Sequence, residues 1–326
     1  MLDSIYGQVM RLRRRRVERQ PQRQRRLARP VISVGNLSMG GTGKTPVVAA
    51  IAQHLIDAGE KPAILSRGYG RADRTDGVVV VSDGTTLKAS VDRSGDEPLM
   101  LARQVPGAVV CVSPDRHLAG TLAERQLGCT VHILDDGFQH IELARDLDVL
   151  VTTVGEIPNG RVIPIGRLRE PIDAAARAHF LVVSDATPGA AASEAWQLGV
   201  QQSCGVLRIP GQPVPIGELK LAATPKILTV TGIAHPDRFV TMLRDGGWTV
   251  VDSMAFPDHY RYTPKDIEAI AANLTACGAD VVFTTDKDAV RLESHALPFA
   301  ACRVPLVVQF DPPDALFASV IAAVRR

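Results

Sequence analysis

Residues 31–46 read VISVGNLSMGGTGKTP, a β-branched strand running into a glycine-rich loop and then a helix start. Such a loop aims backbone N–H groups at phosphates, and the positive end of the following helix favours the same anion. Ser38, Met39, Gly40, Gly41, Thr42, Gly43, Lys44 and Thr45 are therefore the candidate nucleotide cradle. Lys44 would reach the β- and γ-phosphates, and the Thr45 hydroxyl would meet Mg²⁺. Ser38 stands five residues before Gly43, where the phosphate-loop pattern calls for glycine; Gly40 and Gly41 are expected to keep the loop pliable. Pro46 falls in the first helical turn, where a missing N–H costs little.

A second run, Val131 to His140, reads VHILDDGFQH. An apolar strand ending in carboxylates suits magnesium at a nucleotide, because strand C-termini face the phosphates. Asp135 and Asp136 are the candidates, and neighbours on a strand point to opposite faces, so one of the two is expected to address the metal. Ser94 to Pro98, SGDEP, reads equally well as a helix start, with acids at the positive end and proline in the first turn. FPDHY at 256–260 places His259 beside Asp258, more than 200 residues after the phosphate loop, a pair useful only if two domains close on a substrate. Thr284 to Asp288, TTDKD, resembles a guanine-reading TKxD, but Lys287 directly precedes Asp288, so no GTPase is read from it.

These residues need a scaffold. From Pro30 onward, short apolar runs alternate with helical segments, which predicts a parallel sheet covered on both faces. Strands are expected at 31–34, 62–66, 77–81, 108–113, 131–134, 147–152 and 180–183, with helices after Gly43 and near Asp96, Arg116 and Ala174. Pro210, Gly211, Pro213, Pro215 and Gly217 crowd an extended stretch, which marks 205–224 as the linker after a catalytic domain of 31–204. A smaller α/β domain is expected over 225–326, with strands at 227–231, 249–252, 281–284 and 306–310 and helices at 236–245, 264–277 and 313–324.

The 326 residues favour two domains, and no apolar run approaches the ~20 residues of a membrane span. Fourteen aromatic residues are few for a base-stacking surface, which argues against nucleic acid as a partner. Net charge is only +2, but residues 1–30 hold ten Arg against Asp3 and Glu18, a local +8 that leaves −6 on the other 296. Leu2, Ile5, Tyr6, Val9 and Leu12 follow helical spacing into that Arg cluster, the pattern of an interfacial anchor for an anionic membrane surface. The competing expectation is a terminal arm that packs on its own domain. Five scattered cysteines without a CxxC pair suit a reducing compartment and give neither a disulfide framework nor a zinc site.

In one order, the chain carries the phosphate loop, SRGYG (66–70), GDEP (95–98), PDR (114–116), DDGFQH (135–140), LREP (168–171), Asp258-His259 and residues 285–292. Together they resemble the tetraacyldisaccharide 4′-kinases, which phosphorylate a lipid A precursor in Gram-negative bacteria. The resemblance implies transfer of the γ-phosphate of ATP to the 4′-hydroxyl of a tetraacyldisaccharide 1-phosphate. It also implies two α/β/α domains joined by a β-ribbon, an enzyme peripheral to the cytoplasmic face of the inner membrane, and a monomer. Carried onto this chain, Asp96 accepts the hydroxyl proton with His259 as its partner. Lys44, Arg116 and Arg169 hold phosphates, and Thr45, Asp135, Asp136 and Glu170 are candidates for magnesium. Glu97, Gln139 and His140 complete the pocket. Family members begin with a longer apolar segment than the ten or so residues here: either the chain starts late, or anchoring relies on charge drawn to anionic lipid, and peripheral attachment is expected rather than an integral span. The alternative reading is another P-loop ATPase, of the metal-insertion or partitioning type, with no use for His259.

Overall fold

The computed structural model describes residues 2–40, 42–69, 71, 73, 77–156, 160–217 and 224–325. Gly41 of the expected cradle, Gly70 of the SRGYG block and 218–223 of the expected linker lie outside the described residues. In chain order the elements are α1 (Leu2–Glu18), β1 (Val31–Gly35), α2 (Lys44–Asp57), β2 (Pro62–Ser66), β3 (Val79–Asp83), α3 (Val91–Ser94), α4 (Asp96–Gln104), β4 (Val109–Val112), α5 (Arg116–Leu127), β5 (Val131–Asp135), β6 (Leu147–Thr153), β7 (Phe180–Ser184), α6 (Pro188–Leu198) and β8 (Ser203–Pro210). The chain continues with β9 (Val214–Ile216), β10 (Lys226–Thr231), α7 (Pro236–Asp245), β11 (Thr249–Ala255), α8 (Pro264–Ala276), β12 (Val281–Thr285), α9 (Asp286–Leu292), β13 (Ala301–Val304), β14 (Leu306–Asp311) and α10 (Ala315–Val324).

Nine strands form one sheet in the order β14-β8-β7-β6-β1-β5-β2-β4-β3. From β8 to β4 the neighbours run parallel, and β3 closes the edge antiparallel to β4. Every residue of β1, β2, β4, β5 and β7 is buried, as expected of strands covered on both faces. β1 pairs with β5 on one side and β6 on the other, and Val34 lies opposite Asp135. The loops that follow β1 and β5 are thereby neighbours at the carboxyl edge of the sheet, where α/β proteins bind ligands.

Helix starts are legible in their caps. The Asp115 side chain accepts from the Leu118 N–H at α5, Thr187 accepts from Ala190 at α6, and Thr263 with Asp266 forms a capping box at α8. The helix expected near Ala174 is instead a 3₁₀ turn, Ile172–Arg177, because β7 begins three residues later; the full helix, α6, follows β7.

The chain divides into two units, residues Met1–Arg208 with Val308–Arg326, and Ile209–Val307. This corrects the domain limits expected above. The last strand and helix return to the first unit, where the α10 residue Phe317 stacks on His54 of α2 at 4.3 Å. Within the stretch expected as linker, the end of β8 belongs to the nine-stranded sheet and β9 to the second. The second sheet has the order β11-β10-β12-β13-β9, parallel except for β9 against β13. The Arg-rich start packs on the first unit, as in the competing expectation above. Its helix, α1, packs Tyr6 on an apolar cluster of the first unit that includes Phe138 and Leu168. No described helix is long and apolar enough to cross a membrane.

Candidate active site

The phosphate loop is held by its neighbours. Gly43 caps α2 at φ 82°, ψ 25°, a left-handed conformation that glycine adopts without a Cβ penalty, and Ser184 of β7 donates to the Thr42 carbonyl at 2.9 Å. The Met39 N–H donates to the Arg167 carbonyl at 2.7 Å, and the Arg167 guanidinium returns a bond to the Met39 carbonyl at 2.9 Å. Ser38, which replaces the pattern's glycine, is buried, and its hydroxyl donates to Glu156 Oε1 at 2.5 Å. The departure thus fastens the loop to the turn after β6. Thr45 sits half-buried in the first turn of α2.

The two strand-end acids part company as soon as β5 ends. Asp135 is buried and accepts from the Ser66 hydroxyl at 3.2 Å. Burial, then the nearby Glu97 and Asp136 carboxylates, push its pKa well up, against Lys44 and Ser66. Asp136 leaves the strand at φ 53° and turns to cations: Arg169 Nη1 at 2.7 Å and Lys44 Nζ at 3.4 Å. Burial raises its pKa, but Lys44 and Arg169 more than offset that and hold it below the usual carboxylate range.

Around this pair stand the other expected residues of the first unit. Gln139 donates to the Asn36 carbonyl at 2.8 Å and accepts from Arg169 at 3.4 Å. His140 ends the DDGFQH turn with its Nε2 buried and unpartnered, and its pKa falls to about 4, first through burial and then through Arg116. Arg116 is buried at the start of α5 with its Nε unpartnered, an orphaned cationic donor of the kind a phosphate oxygen satisfies. Burial and the neighbouring Arg67 lower its pKa, while Asp135 and Asp136 act to raise it. Asp96 is the first residue of α4, after Gly95 at φ 84°; a Cβ on Gly95 would stand 2.8 Å from the Tyr69 carbonyl oxygen, so glycine is required where α4 meets the SRGYG loop. Glu97 is exposed one residue later.

Glu170 has a partner that the motif did not show. Expected near magnesium, it is buried and both its carboxylate oxygens bond Arg14 of α1, Oε1 at 2.7 Å from Nη2 and Oε2 from Nε. Each oxygen keeps a second lone pair, so the contact makes Glu170 the buried partner of Arg14 and leaves it a candidate for magnesium.

His259 lies in the second unit, at φ 60° after β11. Lys287 Nζ is 2.9 Å from Asp258 Oδ1 and 3.1 Å from His259 Nε2, while Arg291 Nη2 is 3.3 Å from His259 Nδ1. Lys287 and Arg291 both come from α9. The TTDKD stretch is the start of that helix: Thr285 accepts from the Asp288 N–H and donates to its carboxylate at 2.7 Å.

Arg14, Glu156, Lys287 and Arg291 are the site-supporting residues that motif reading missed. Arg14 had a signal, since Tyr6, Met10, Arg14 and Val17 share the helical face that is not exposed.

The model of the LpxK family, tetraacyldisaccharide-1-P 4′-kinase, matches residues 1–325. This chain belongs to that family. It is 41% identical over 298 residues to a tetraacyldisaccharide 4′-kinase of Geobacter sulfurreducens, covering 90% of this chain and 83% of the relative. Against the Desulfotalea psychrophila kinase of the same name the figures are 38% over 323 residues, 95% of this chain and 92% of the relative. The fold superposes on a crystal structure of LpxK from Aquifex aeolicus in complex with ATP with a TM-score of 0.80 and 28% identity, covering 99% of this chain and 97% of that one. These matches do not favour the metal-insertion or partitioning ATPases.

Proposed function

We propose that this member of the kinase family transfers the γ-phosphate of ATP to the 4′-hydroxyl of a tetraacyldisaccharide 1-phosphate, giving the bis-phosphorylated lipid IVA. The observation that carries the reading is the convergence of Lys44, Asp136 and Arg169 beside buried Asp135 and Arg116 at the phosphate loop. The 4′-oxygen attacks the γ-phosphorus as the bond to ADP breaks, and the hydroxyl proton passes to a carboxylate. Asp96 is that acceptor, and the resemblance assigns His259 to the same step; the first turn of α4 places Asp96 at a positive helix end, where a negative charge is favoured. Lys44, Arg116 and Arg169 hold phosphate oxygens and neutralise charge, the main protein task in phosphoryl transfer. Gln139 and His140 complete the wall.

The site fits a magnesium ion carried by the nucleotide. Among the described residues no three His, Cys, Asp or Glu side chains make a metal cage, but magnesium needs only one or two carboxylates beside phosphates and water. Asp135, free of the ion pairs that occupy Asp136, and the Thr45 hydroxyl would hold it, and bound there it would neutralise phosphate charge.

Helix α1 suits a peripheral seat on an anionic membrane, at the cytoplasmic face of the inner membrane. Its packed face carries Tyr6 and Arg14, while Ile5, Val9 and Leu12 are exposed at helical spacing beside exposed Arg15, Arg16 and Arg19.

The test follows the γ-phosphate of ATP onto tetraacyldisaccharide 1-phosphate in detergent micelles by mass spectrometry, with Asp96→Ala and His259→Ala beside wild type. Product from wild type, lost in both variants while ATP still binds, is expected. ATP hydrolysis without lipid product would reject the substrate.

A further inference from the structure

The pair between Arg14 and Glu170 joins residues 156 positions apart, and both are almost wholly buried, at 5% and 1% exposure. Arg14 has no part in the phosphoryl-transfer chemistry above. What the pair touches is informative. The Arg14 guanidinium lies over the Phe138 ring, 4.9 Å from its centroid, and Nη2 donates to the Phe138 carbonyl at 3.3 Å as well as to Glu170. Phe138 sits between Asp136 and Gln139, and Glu170 directly follows Arg169. One guanidinium therefore grips both loops that bring charged or polar side chains to Lys44. A second contact from α1 reinforces the grip: the Tyr6 hydroxyl donates to the Arg169 carbonyl at 3.1 Å.

The same carbonyl of Phe138 also receives Arg145 at 3.3 Å, and a Cβ on Gly35 would stand 2.5 Å from the Phe138 Cβ. The loop after β5 is thus pressed against the end of β1 from one side and held by buried Arg14 and half-buried Arg145 from the other. On the far loop, the Arg169 N–H donates to the Leu37 carbonyl at 2.6 Å, just before the phosphate loop.

We propose that Arg14 is a positioning residue for phosphoryl transfer: through Glu170 and the Phe138 carbonyl it fixes Asp136, Gln139 and Arg169 against the phosphate loop. The inference rests on the kinase reading for its rate consequence and on geometry alone for its structural one. An ion pair of this burial has a cheaper apolar substitute for stability, since well-packed hydrophobic residues replace such pairs at little cost. Its geometry has no such substitute, because only a forked donor reaches two carboxylate oxygens and a carbonyl together.

The experiment compares the full-length wild type with Arg14→Met/Glu170→Leu, which removes both charges at once, and with Arg14→Lys. Amide hydrogen exchange is read at Gly137, His140 and Arg169 without substrates, and kcat and KM are read with ATP and the lipid. The double variant is expected to melt near wild type, to exchange these amides about tenfold faster, and to lose about tenfold or more in kcat with KM for ATP within about twofold. Arg14→Lys, which keeps one donor and the charge, is expected to recover part of kcat. A folded double variant with wild-type exchange and wild-type kcat overturns the proposal. If wild type itself fails to phosphorylate the lipid, the kinase reading falls, and unchanged or faster exchange alone decides for or against the grip of Arg14.

Discussion

Lys44 Nζ stands 3.4 Å from Asp136 Oδ1, so the phosphate-loop lysine is parked on the carboxylate that ends the neighbouring strand. The other oxygen of Asp136 is already held by Arg169 at 2.7 Å. Removing the lysine therefore leaves the acid paired. Lys44→Met is expected to melt close to wild type while kcat falls about a hundredfold or more, since a preorganised cation at the transferring phosphate is lost. A thermal melt beside a phosphate-transfer assay checks both halves; a large fall in melting temperature would mean that the lysine is structural.

Ser38 makes a different claim. Its hydroxyl donates to Glu156 at 2.5 Å, and Glu156 also accepts from Thr153 Oγ1 at 3.2 Å, so the loop is tied to the turn after β6. Ser38→Ala and Ser38→Gly should each cost about 1 kcal/mol of stability and raise KM for ATP several-fold with kcat little changed, because the cradle must then be ordered at the nucleotide's expense. Isothermal titration with a non-hydrolysable ATP analogue reads the affinity directly. Unchanged affinity in both variants would leave the tie without a role in binding.

The elements that carry the first unit's candidate site were legible because they are local. A phosphate loop, a strand ending in two acids and a helix opening on Asp96 each announce themselves within a dozen residues, and β1 beside β5 follows from parallel α/β packing. What stayed hidden is non-local. Residues 306–310 have the same strand character whichever sheet they join, and only pairing beside β8 shows that β14 and α10 return to the first unit. The Arg cluster was counted as surface charge, and no spacing rule connects Arg14 with a glutamate far along the chain. Glu170 was legible by its type, and its partner Arg14 was not.

His140 gives the first unit an acid-sensitive element. Its folded pKa is about 4 against the usual 6.5, lowered by burial and by Arg116, Arg145 and Arg25, with Glu142 opposing. Between those values the unfolded chain binds a proton that the folded one refuses, so stability rises with pH across this window. The contribution is whole above about pH 6.5 and is lost as pH falls toward 4, on the order of 1–2 kcal/mol after allowing for the solvent the half-buried ring still reaches. Urea unfolding of wild type and His140→Gln from pH 7.5 to 4.5 tests it. The curves should converge as the wild type loses this advantage, and two parallel curves would refute the assignment.

The exposed face of α1 carries the last prediction. Ile5, Val9 and Leu12 are 54%, 55% and 63% exposed, while Tyr6 and Arg14 on the other face hold the helix to the body. Replacing the three apolar residues by serine should therefore spare folding and kcat on a micellar lipid. Binding to vesicles containing phosphatidylglycerol should weaken about tenfold or more, since each side chain gives up part of the ~1.5–3 kcal/mol available on full burial. Arg15 and Arg16 lie exposed in the last turn of the same helix and Arg19 just after it, and each should add about 1 kcal/mol near an anionic surface, a contribution that salt screens. Vesicle flotation at low and high salt separates the two: the serine variant should lose the salt-resistant part of binding and keep the salt-sensitive part. If the serine variant floats as wild type does in high salt, the apolar stripe is not what meets the lipid, and the body of the first unit must supply the contact instead.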